Sequence, residues 1–277
     1  MNMEQTRKIK VIKNEVLGSR AYLNRCWEYR HLLIGLAKRD IKAKYAQAVL
    51  GILWSLLKPL TGLAVFTLFF DNLMKVNTHE IPYPVFAFTG LTSWYFFTYI
   101  ISSGGTSLME SQGLLKKVYF PKLIMPLSKV LVGFLDFALS FILLIGLMVL
   151  SGYGLRWQIV FLPLFIILNM IAGLSVAIWL SALTIRYRDF YHIIPYLVNF
   201  SIWLTPVFYP GTLIPETYNW ALYINPMAGV IAGFRWALLG DVFPSVYYLV
   251  SFAFMIILLV SGFFYFKMIE KEIADLI

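Results

Sequence analysis

The sequence predicts an all-α integral membrane protein: a bundle of six transmembrane helices, an N-terminal amphipathic interface helix and short external re-entrant or gate helices. Of the 277 residues, 60% are hydrophobic and only 13% are charged, whereas soluble domains contain about 45–50% apolar and about 25% charged residues. One soluble core of this length cannot hide so much apolar surface. The many aromatic and aliphatic residues exclude disorder, and the single cysteine, Cys26, excludes a disulfide scaffold.

Six segments are apolar over enough residues to cross a bilayer, which requires about 20 mostly apolar residues in a helix. The predicted spans cover 49–73, 84–103, 128–150, 158–183, 190–209 and 245–266. A seventh apolar stretch, 217–234, is broken by asparagines, a proline and two glycines, among them Asn225 and Pro226. Its backbone polar groups would need protein or water as partners at membrane depth. This stretch is therefore predicted to be re-entrant or interfacial.

Positive charge lies mostly on one side of these spans, and this asymmetry predicts the orientation. Of the 23 Lys and Arg residues, 19 lie on the side of the two termini and three on the opposite side. Because Lys and Arg concentrate in cytoplasmic loops, both termini are predicted to be cytoplasmic. The net charge of +9 then needs no nucleic acid as a partner, and no nucleic-acid-binding motif accompanies it. The chain divides into a cytoplasmic segment at 1–48, a transmembrane domain at 49–266 and a cytoplasmic tail at 267–277.

Residues 29–45 have the periodicity of an amphipathic helix, although Asp40 and Lys44 intrude on its apolar face. Such a helix can lie in the membrane interface with its cations at the lipid headgroups. Two functions remain open for it: a topological anchor, or a platform that meets an anionic lipid-linked substrate.

Two charged residues lie well inside predicted spans, away from the span ends. Lys58 precedes Pro59, which kinks a helix, and its ammonium can either extend to the cytoplasmic edge or contact a phosphate. Asp136 lies well inside the third span. Because a proton relay needs more than one buried acid and the sequence places no second acid well inside a span, a structural hydrogen bond is predicted for Asp136.

The cytoplasmic loop at 104–129 predicts a short helix at about 106–118, ended by Pro121 and Pro126. The loop is predicted to expose five apolar or aromatic residues beside three lysines: Leu114, Leu115, Val118, Tyr119 and Phe120. Exposed apolar residues next to charge are typical of a protein docking site. A buried linker is the alternative.

Aromatic residues crowd the second predicted span. Trp and Tyr near membrane interfaces commonly form belts, and aromatic faces can also stack on sugar rings. Six aromatic residues are candidates for the wall of a sugar channel: Trp54, Phe88, Trp94, Tyr95, Tyr99 and Trp203.

The motifs of common enzymes are absent from the sequence. There is no phosphate-binding GxxxxGK[ST] loop, no HExxH motif and no Cys/His cluster for a metal. Neither paired carboxylates on one loop nor a GxSxG motif is present. We therefore expect a protein that is not an enzyme, with no catalytic residue, no metal and no cofactor of its own.

The order of several short motifs resembles the permease subunit of bacterial polysaccharide ABC exporters of the ABC-2 type, with O-antigen exporters closest and capsule and teichoic-acid permeases related. The resemblance covers the chain from about Tyr29 to its end. It rests on the runs at 36–45, 50–54, 58–59, 117–122, 186–189, 225–227 and 234–240.

This resemblance implies a homodimer in the bacterial inner membrane that works with two cytoplasmic ATPase subunits, which bind ATP and Mg²⁺. The substrate would be a polysaccharide linked to undecaprenyl diphosphate, and 207–240 would form the outer gate. Residues implied to contact the ATPase are Leu114, Leu115, Lys116, Lys117, Val118, Tyr119 and Phe120. Cations placed to meet the diphosphate are Lys38, Arg39, Lys42, Lys44, Arg186 and Arg188.

Three alternatives stay open at this point. The polymer could be teichoic acid or capsular polysaccharide instead of O-antigen. The chain could belong to an ABC-2 exporter of drugs or small lipids. A membrane glycosyltransferase acting on lipid-linked sugars is the alternative from a different class.

Overall fold

The computed structural model describes residues 18–46, 53–76, 78, 81–242 and 246–276. Within these ranges the chain is built from helices and contains no strand, which confirms the all-α prediction. The basic residues before 18 and the first residues of the predicted first span lie outside the described residues.

The helices follow one another with short connections. In chain order they are α1 (Ser19–Glu28), α2 (Arg30–Tyr45), α3 (Trp54–Phe66), α4 (Tyr83–Glu110), α5 (Gln112–Leu115), α6 (Ile124–Leu150), α7 (Leu162–Arg186), α8 (Asp189–Ser201), α9 (Asn219–Leu222), α10 (Pro226–Leu239) and α11 (Tyr248–Leu276).

Four helices in the described part of the chain are long and apolar enough to cross a membrane. They are Tyr83–Glu110, Ile124–Leu150, Trp157–Arg186 and Tyr248–Ile273, and they match the second, third, fourth and sixth predicted spans.

The first and fifth predicted spans are less regular. In the first, Pro59 lies inside α3, and a π-helical segment, Thr67–Leu73, continues that helix. In the fifth, α8 contains Pro195 and gives way to turns after Ser201. Each proline removes one backbone donor from the hydrogen-bond ladder of its helix.

Helix α4 forms the centre of the chain and packs against α3, α6, α7, α8 and α10. Of its most apolar 18-residue window, 83% is buried inside the chain, against 22% for α11. Glycines allow this close packing: a Cβ at Gly104 would lie 2.9 Å from the Cβ of Ala177, and a Cβ at Gly173 would lie 2.9 Å from that of Ile100. Small residues at such positions let membrane helices approach closely.

The broken seventh stretch is a short apolar helix, α10. The Asn225 side chain caps its first turn by accepting a hydrogen bond from the Met227 amide at 3.0 Å, and Pro226 occupies the first helical position. Gly240 ends the helix with a positive φ of 66°, a conformation that glycine adopts without strain. Two of the residues that interrupt the apolar run, Asn225 and Pro226, therefore mark the start of α10.

Candidate functional site

Two ion pairs join helix α2 to helix α6, and the cation comes from α6 in one pair and from α2 in the other. The Lys129 ammonium of α6 contacts the Asp40 carboxylate at 2.8 Å, and Lys44 of α2 contacts the carboxylate of Asp136. Asp40 and Lys44 are the residues that intrude on the apolar face of α2. They lie four positions apart and so share one side of the helix, and that side meets α6.

Asp136 also receives hydrogen bonds from two hydroxyl groups. The Tyr45 hydroxyl donates to its Oδ1 at 2.6 Å, and the Ser55 hydroxyl donates to the same oxygen at 2.8 Å. The structural hydrogen bond predicted for Asp136 is confirmed, and its carboxylate connects α2, α3 and α6. Neither Tyr45 nor Ser55 was identified from the sequence, because nothing local to those residues indicates a partner on another helix.

The cations of α2 fall into two groups. Arg39 donates to Asp40 at 2.8 Å and Lys44 is held by Asp136, whereas Lys38 and Lys42 are exposed. Among the six cations predicted to meet a diphosphate, Lys44 thus has a structural partner already.

The charge state of Asp40 follows from its neighbours. Burial alone would raise the pKa of Asp40, but hydrogen bonds from Lys129 and Arg39 prevail and hold that pKa below its ordinary value. The carboxylate stays charged, and the stability that its ion pairs contribute is lost only as the pH falls through the lowered pKa.

Two lysines lie over tyrosine rings of α4 near the same junction. The Lys58 ammonium is 5.2 Å from the ring centroid of Tyr95, and the Lys44 ammonium is 4.9 Å from that of Tyr99. Within the described residues, Lys58 makes no ion pair with a carboxylate. The two tyrosines are spaced four residues apart, so they form one cation-binding face of α4.

The remaining aromatic candidates separate by exposure. Phe88 and Trp94 are 1% and 3% exposed, so the prediction that they line a channel does not agree with their burial. They belong to the packed core because α4 is surrounded by other helices of the chain. Trp54 and Trp203 are 60% and 57% exposed and remain candidates.

Helix α8 presents an exposed face with two parallel stripes. One stripe combines polar and aromatic side chains at helical spacing: His192, Tyr196, Asn199 and, in the turn that follows, Trp203. The neighbouring stripe is apolar and consists of Ile193, Leu197, Phe200 and Leu204. A helix that faced only lipid would not need the first stripe.

The loop after α4 exposes less apolar surface than predicted. Leu115 and Phe120 are buried, at 8% and 1% exposure, because they pack into an apolar cluster with α1, α7 and α11. The predicted helix at about 106–118 is instead the end of α4 followed by the short helix α5. Val118 and Tyr119 remain exposed, at 44% and 47%.

The surroundings of this loop are basic. Lys116 and Lys117 are exposed, and Leu114 is partly buried. The guanidinium of Arg25 lies 5.0 Å from the ring centroid of Tyr119. The surface offered here therefore combines Val118 and Tyr119 with positive charge.

Arg186 and Arg188 lie where α7 gives way to α8. The guanidinium of Arg186 is 3.9 Å from the carboxylate of Glu272 on α11, and Arg188 is exposed. These two arginines therefore do not share a helix with the cations of α2. Arg188 is accessible to an anion.

A buried arginine organises the opposite end of the bundle. The Arg235 guanidinium donates to the carbonyl oxygens of Val207 at 2.7 Å and Pro206 at 2.9 Å, and it lies 3.5 Å from the ring centroid of Phe86. A side chain at Gly90 would collide with the Val207 carbonyl, so glycine is required there. These contacts hold α10 and the segment after α8 against α4.

No group of three or more His, Cys, Asp or Glu side chains that could hold a metal ion occurs among the residues that the structure describes. The chemistry available at the site is that of cations, aromatic rings and hydrogen-bond donors. Such groups bind anions and sugars.

A comparison with protein families decides the family of the chain. The family described as ABC-2 type transporter matches residues 31–239, which is most of the sequence. The chain belongs to the ABC-2 type transporter family. The match runs from the start of α2 to the end of α10, so it includes the α2–α6 junction, the loop after α4 and the site of Arg235.

Several curated relatives cover most of this ABC-2 type transporter. It is 31% identical over 211 residues to the O-antigen export system permease protein RfbA of Myxococcus xanthus, covering 76% of this chain and 80% of that protein. A Klebsiella pneumoniae protein of the same name is 27% identical over 89% of this chain and 95% of its own length. The polysialic acid transport protein KpsM of Escherichia coli is 24% identical over 70% of this chain and 75% of its own. As a family member with four long apolar helices, the chain is a membrane protein.

Proposed function

We propose that the chain is the membrane-spanning permease subunit of an ATP-driven exporter that moves undecaprenyl-diphosphate-linked O-antigen from the cytoplasm across the inner membrane. The observation that carries this proposal is the likeness to O-antigen export permeases along up to 89% of the chain. ATP and Mg²⁺ would be bound by a partner ATPase, for which the ABC-2 family membership is the support. Capsular polysaccharide export is the second candidate, favoured by the likeness to the polysialic acid transport protein.

The conduit forms between two copies of the chain. A glycan loses its hydrogen bonds in hydrocarbon, so it needs a polar path. The centre of a single chain cannot supply that path, because α4 is enclosed by other helices of the chain and its own residues Phe88 and Trp94 are buried. We therefore infer a homodimer whose subunits face each other along the exposed surfaces of α3 and α8. Trp54 and the polar stripe of α8 with Trp203 would line it.

Each subunit has six spans in this proposal, and both termini are cytoplasmic. Helix α3 with its π-helical continuation and helix α8 with the turns that follow supply the first and fifth spans. The one-sided distribution of Lys and Arg supports the orientation. Two ATPase subunits would dock from the cytoplasm on the loop after α4, where Val118 and Tyr119 are exposed beside lysines.

The diphosphate would be bound by cations that form no ion pair with a carboxylate in the described part of the chain. Lys38 and Lys42 on α2 and Arg188 at the start of α8 are exposed on the side assigned to the cytoplasm. Arg39 and Arg186 form ion pairs with Asp40 and Glu272, so they would contribute less to binding of the diphosphate.

Deletion of the gene in its host tests the export function. We expect completed lipid-linked polymer to accumulate on the cytoplasmic side and surface polysaccharide to disappear, because the polymer cannot cross the bilayer unaided. A plasmid copy of the gene should restore both. The composition of the accumulated polymer distinguishes O-antigen from capsule. Normal surface polysaccharide in the deletion strain would contradict export, and sugar transfer by the purified chain alone would establish a glycosyltransferase.

Neutralising three cations of α2 tests the proposal that they bind the diphosphate. In the triple variant Lys38→Gln, Arg39→Gln, Lys42→Gln, each lost cation weakens attraction to an anionic headgroup by about 1 kcal/mol. We expect export to fall by roughly tenfold or more at limiting substrate, with an unchanged amount of protein in the membrane. The control removes equal charge outside residues 38–42, as Arg20→Gln, Arg30→Gln, Lys271→Gln, and should export normally. Equal export by both triple variants would reduce the α2 cations to topological anchors.

A further inference from the structure

The loop after α4 is fastened at its far end by a carboxylate from the C-terminal helix. Glu270 of α11 accepts a hydrogen bond from the backbone amide of Lys122 at 2.7 Å. The hydroxyl of Tyr22, on α1, accepts a hydrogen bond from the amide of the next residue, Leu123, at 3.5 Å. We call these four groups the loop clamp: the Glu270 carboxylate, the Tyr22 hydroxyl and the amides of Lys122 and Leu123.

The loop clamp lies in a separate apolar cluster, away from the main core around α4. Phe120 from the loop and Phe266 from α11 are each 1% exposed, and Tyr22 is 6% exposed. The rings of Tyr22 and Phe263 meet edge to face with centroids 5.9 Å apart. A carboxylate placed beside such a cluster is unfavourable unless it is hydrogen-bonded. The hydrogen bond from the Lys122 amide therefore stabilises Glu270 at this position.

The loop clamp is close to the exposed part of the loop. Tyr119 and Lys122 are three positions apart in the chain, and an extended segment of that length spans at most about 11 Å. Phe120, between them, is fixed in the apolar cluster, and Arg25 of α1 lies over the Tyr119 ring. A displacement applied at Val118 and Tyr119 therefore reaches α1 and α11 before it can be absorbed by the loop.

We propose that Glu270 is a positioning residue for transport: through the loop clamp, it passes movement of the loop after α4 into α11 and α1. This inference rests on the proposed function, in which a partner ATPase pushes on the exposed part of that loop. Without the carboxylate, the ATPase would still dock and hydrolyse ATP, but the loop would move without carrying the membrane helices with it.

The test measures ATP hydrolysis and polymer transport by the same reconstituted complex of chain and ATPase. For Glu270→Ala we expect ATP hydrolysis within about twofold of wild type and transport per ATP lowered at least about tenfold, as expected from losing a hydrogen bond to a charged group. Glu270→Gln retains an amide oxygen for the Lys122 amide and should recover most of the transport. Tyr22→Phe, which loses the hydroxyl alone, should fall between them.

An exposed acid provides the matched control. Glu28 lies at the end of α1 and its side chain is exposed, so Glu28→Ala should transport like wild type. A Glu270→Ala complex with normal transport per ATP would overturn the loop clamp and leave the proposed function intact. An equal fall in hydrolysis and transport would also overturn it, since that pattern indicates a merely structural role. If the Glu270→Ala complex fails to assemble, normal transport per ATP in both Glu270→Gln and Tyr22→Phe would overturn the loop-clamp proposal. A wild-type complex that transports no polymer would instead contradict the proposed function.

Discussion

Replacing Arg235 with alanine is expected to remove nearly all folded chain from the membrane. The Arg235 side chain is 4% exposed, and its guanidinium satisfies the backbone carbonyls of Pro206 and Val207, with a third bond to Tyr209 at 3.4 Å. Each buried carbonyl left without a donor costs roughly 1–3 kcal/mol, and the cavity beside Phe86 adds to that loss. The total approaches the whole stability of an ordinary domain, which is about 5–15 kcal/mol.

Lysine does not replace Arg235. An ammonium is a point charge and lacks the planar fork that reaches two carbonyls at once, so we expect Arg235→Lys to be nearly as damaging as Arg235→Ala. The measurement is the amount of monodisperse protein after detergent extraction, together with its melting temperature. Arg20→Ala, which removes an exposed arginine of α1, should match wild type. A melting temperature of Arg235→Ala within a degree or two of wild type would show that the outer segment holds without the guanidinium.

The second large effect is expected at Asp136. Alanine at this position removes one ion pair and two hydrogen bonds at once and leaves the Lys44 ammonium without its counter-charge. Because the two side chains keep 33% and 20% of their exposure, the loss is smaller than the 3–5 kcal/mol typical of a fully buried pair. We expect about 1–3 kcal/mol, seen as a lower melting temperature and a several-fold loss of export.

A double variant separates the ion pair from the packing of the helices. In Lys44→Ala, Asp136→Ala no unpaired ammonium remains, so its melting temperature should lie above that of Asp136→Ala alone. Coupling between residues in contact is expected to make the two substitutions non-additive. Strictly additive effects would mean that the pair contributes nothing to the attachment of α2 to α6.

Some features of this fold follow directly from local sequence. The second, third, fourth and sixth spans are uninterrupted apolar runs, and each is a long helix. Asn225 and Pro226 mark the start of α10 because a cap and a first-turn proline are local signals. The charges at Asp40 and Lys44 could be located on the wrong face of an amphipathic helix from the 3.6-residue period alone.

Other features depend on contacts between distant parts of the chain. Periodicity shows that Asp40 and Lys44 need partners, but those partners lie 89 and 92 residues away. Composition does not distinguish a lipid-facing aromatic from a core aromatic, so Phe88 and Trp94 were placed in a channel. Glu270 carries no local signal at all, since its partner on the loop, the Lys122 amide, is 148 residues away in sequence.

The central position of α4 has a consequence for how the protein is made. Its most apolar 18-residue stretch has a mean hydropathy of 1.2, against 2.5, 2.5 and 2.4 for the other three long helices of the described chain, and it carries buried polar residues such as Thr92 and Ser93. A helix leaves the insertion machinery for lipid according to its transfer free energy, so α4 gains the least from doing so alone. The Ser93 hydroxyl is bonded by Asn169 of α7, which is synthesised later. We therefore expect α4 to stay beside the insertion machinery until α6 and α7 are synthesised and can enclose it.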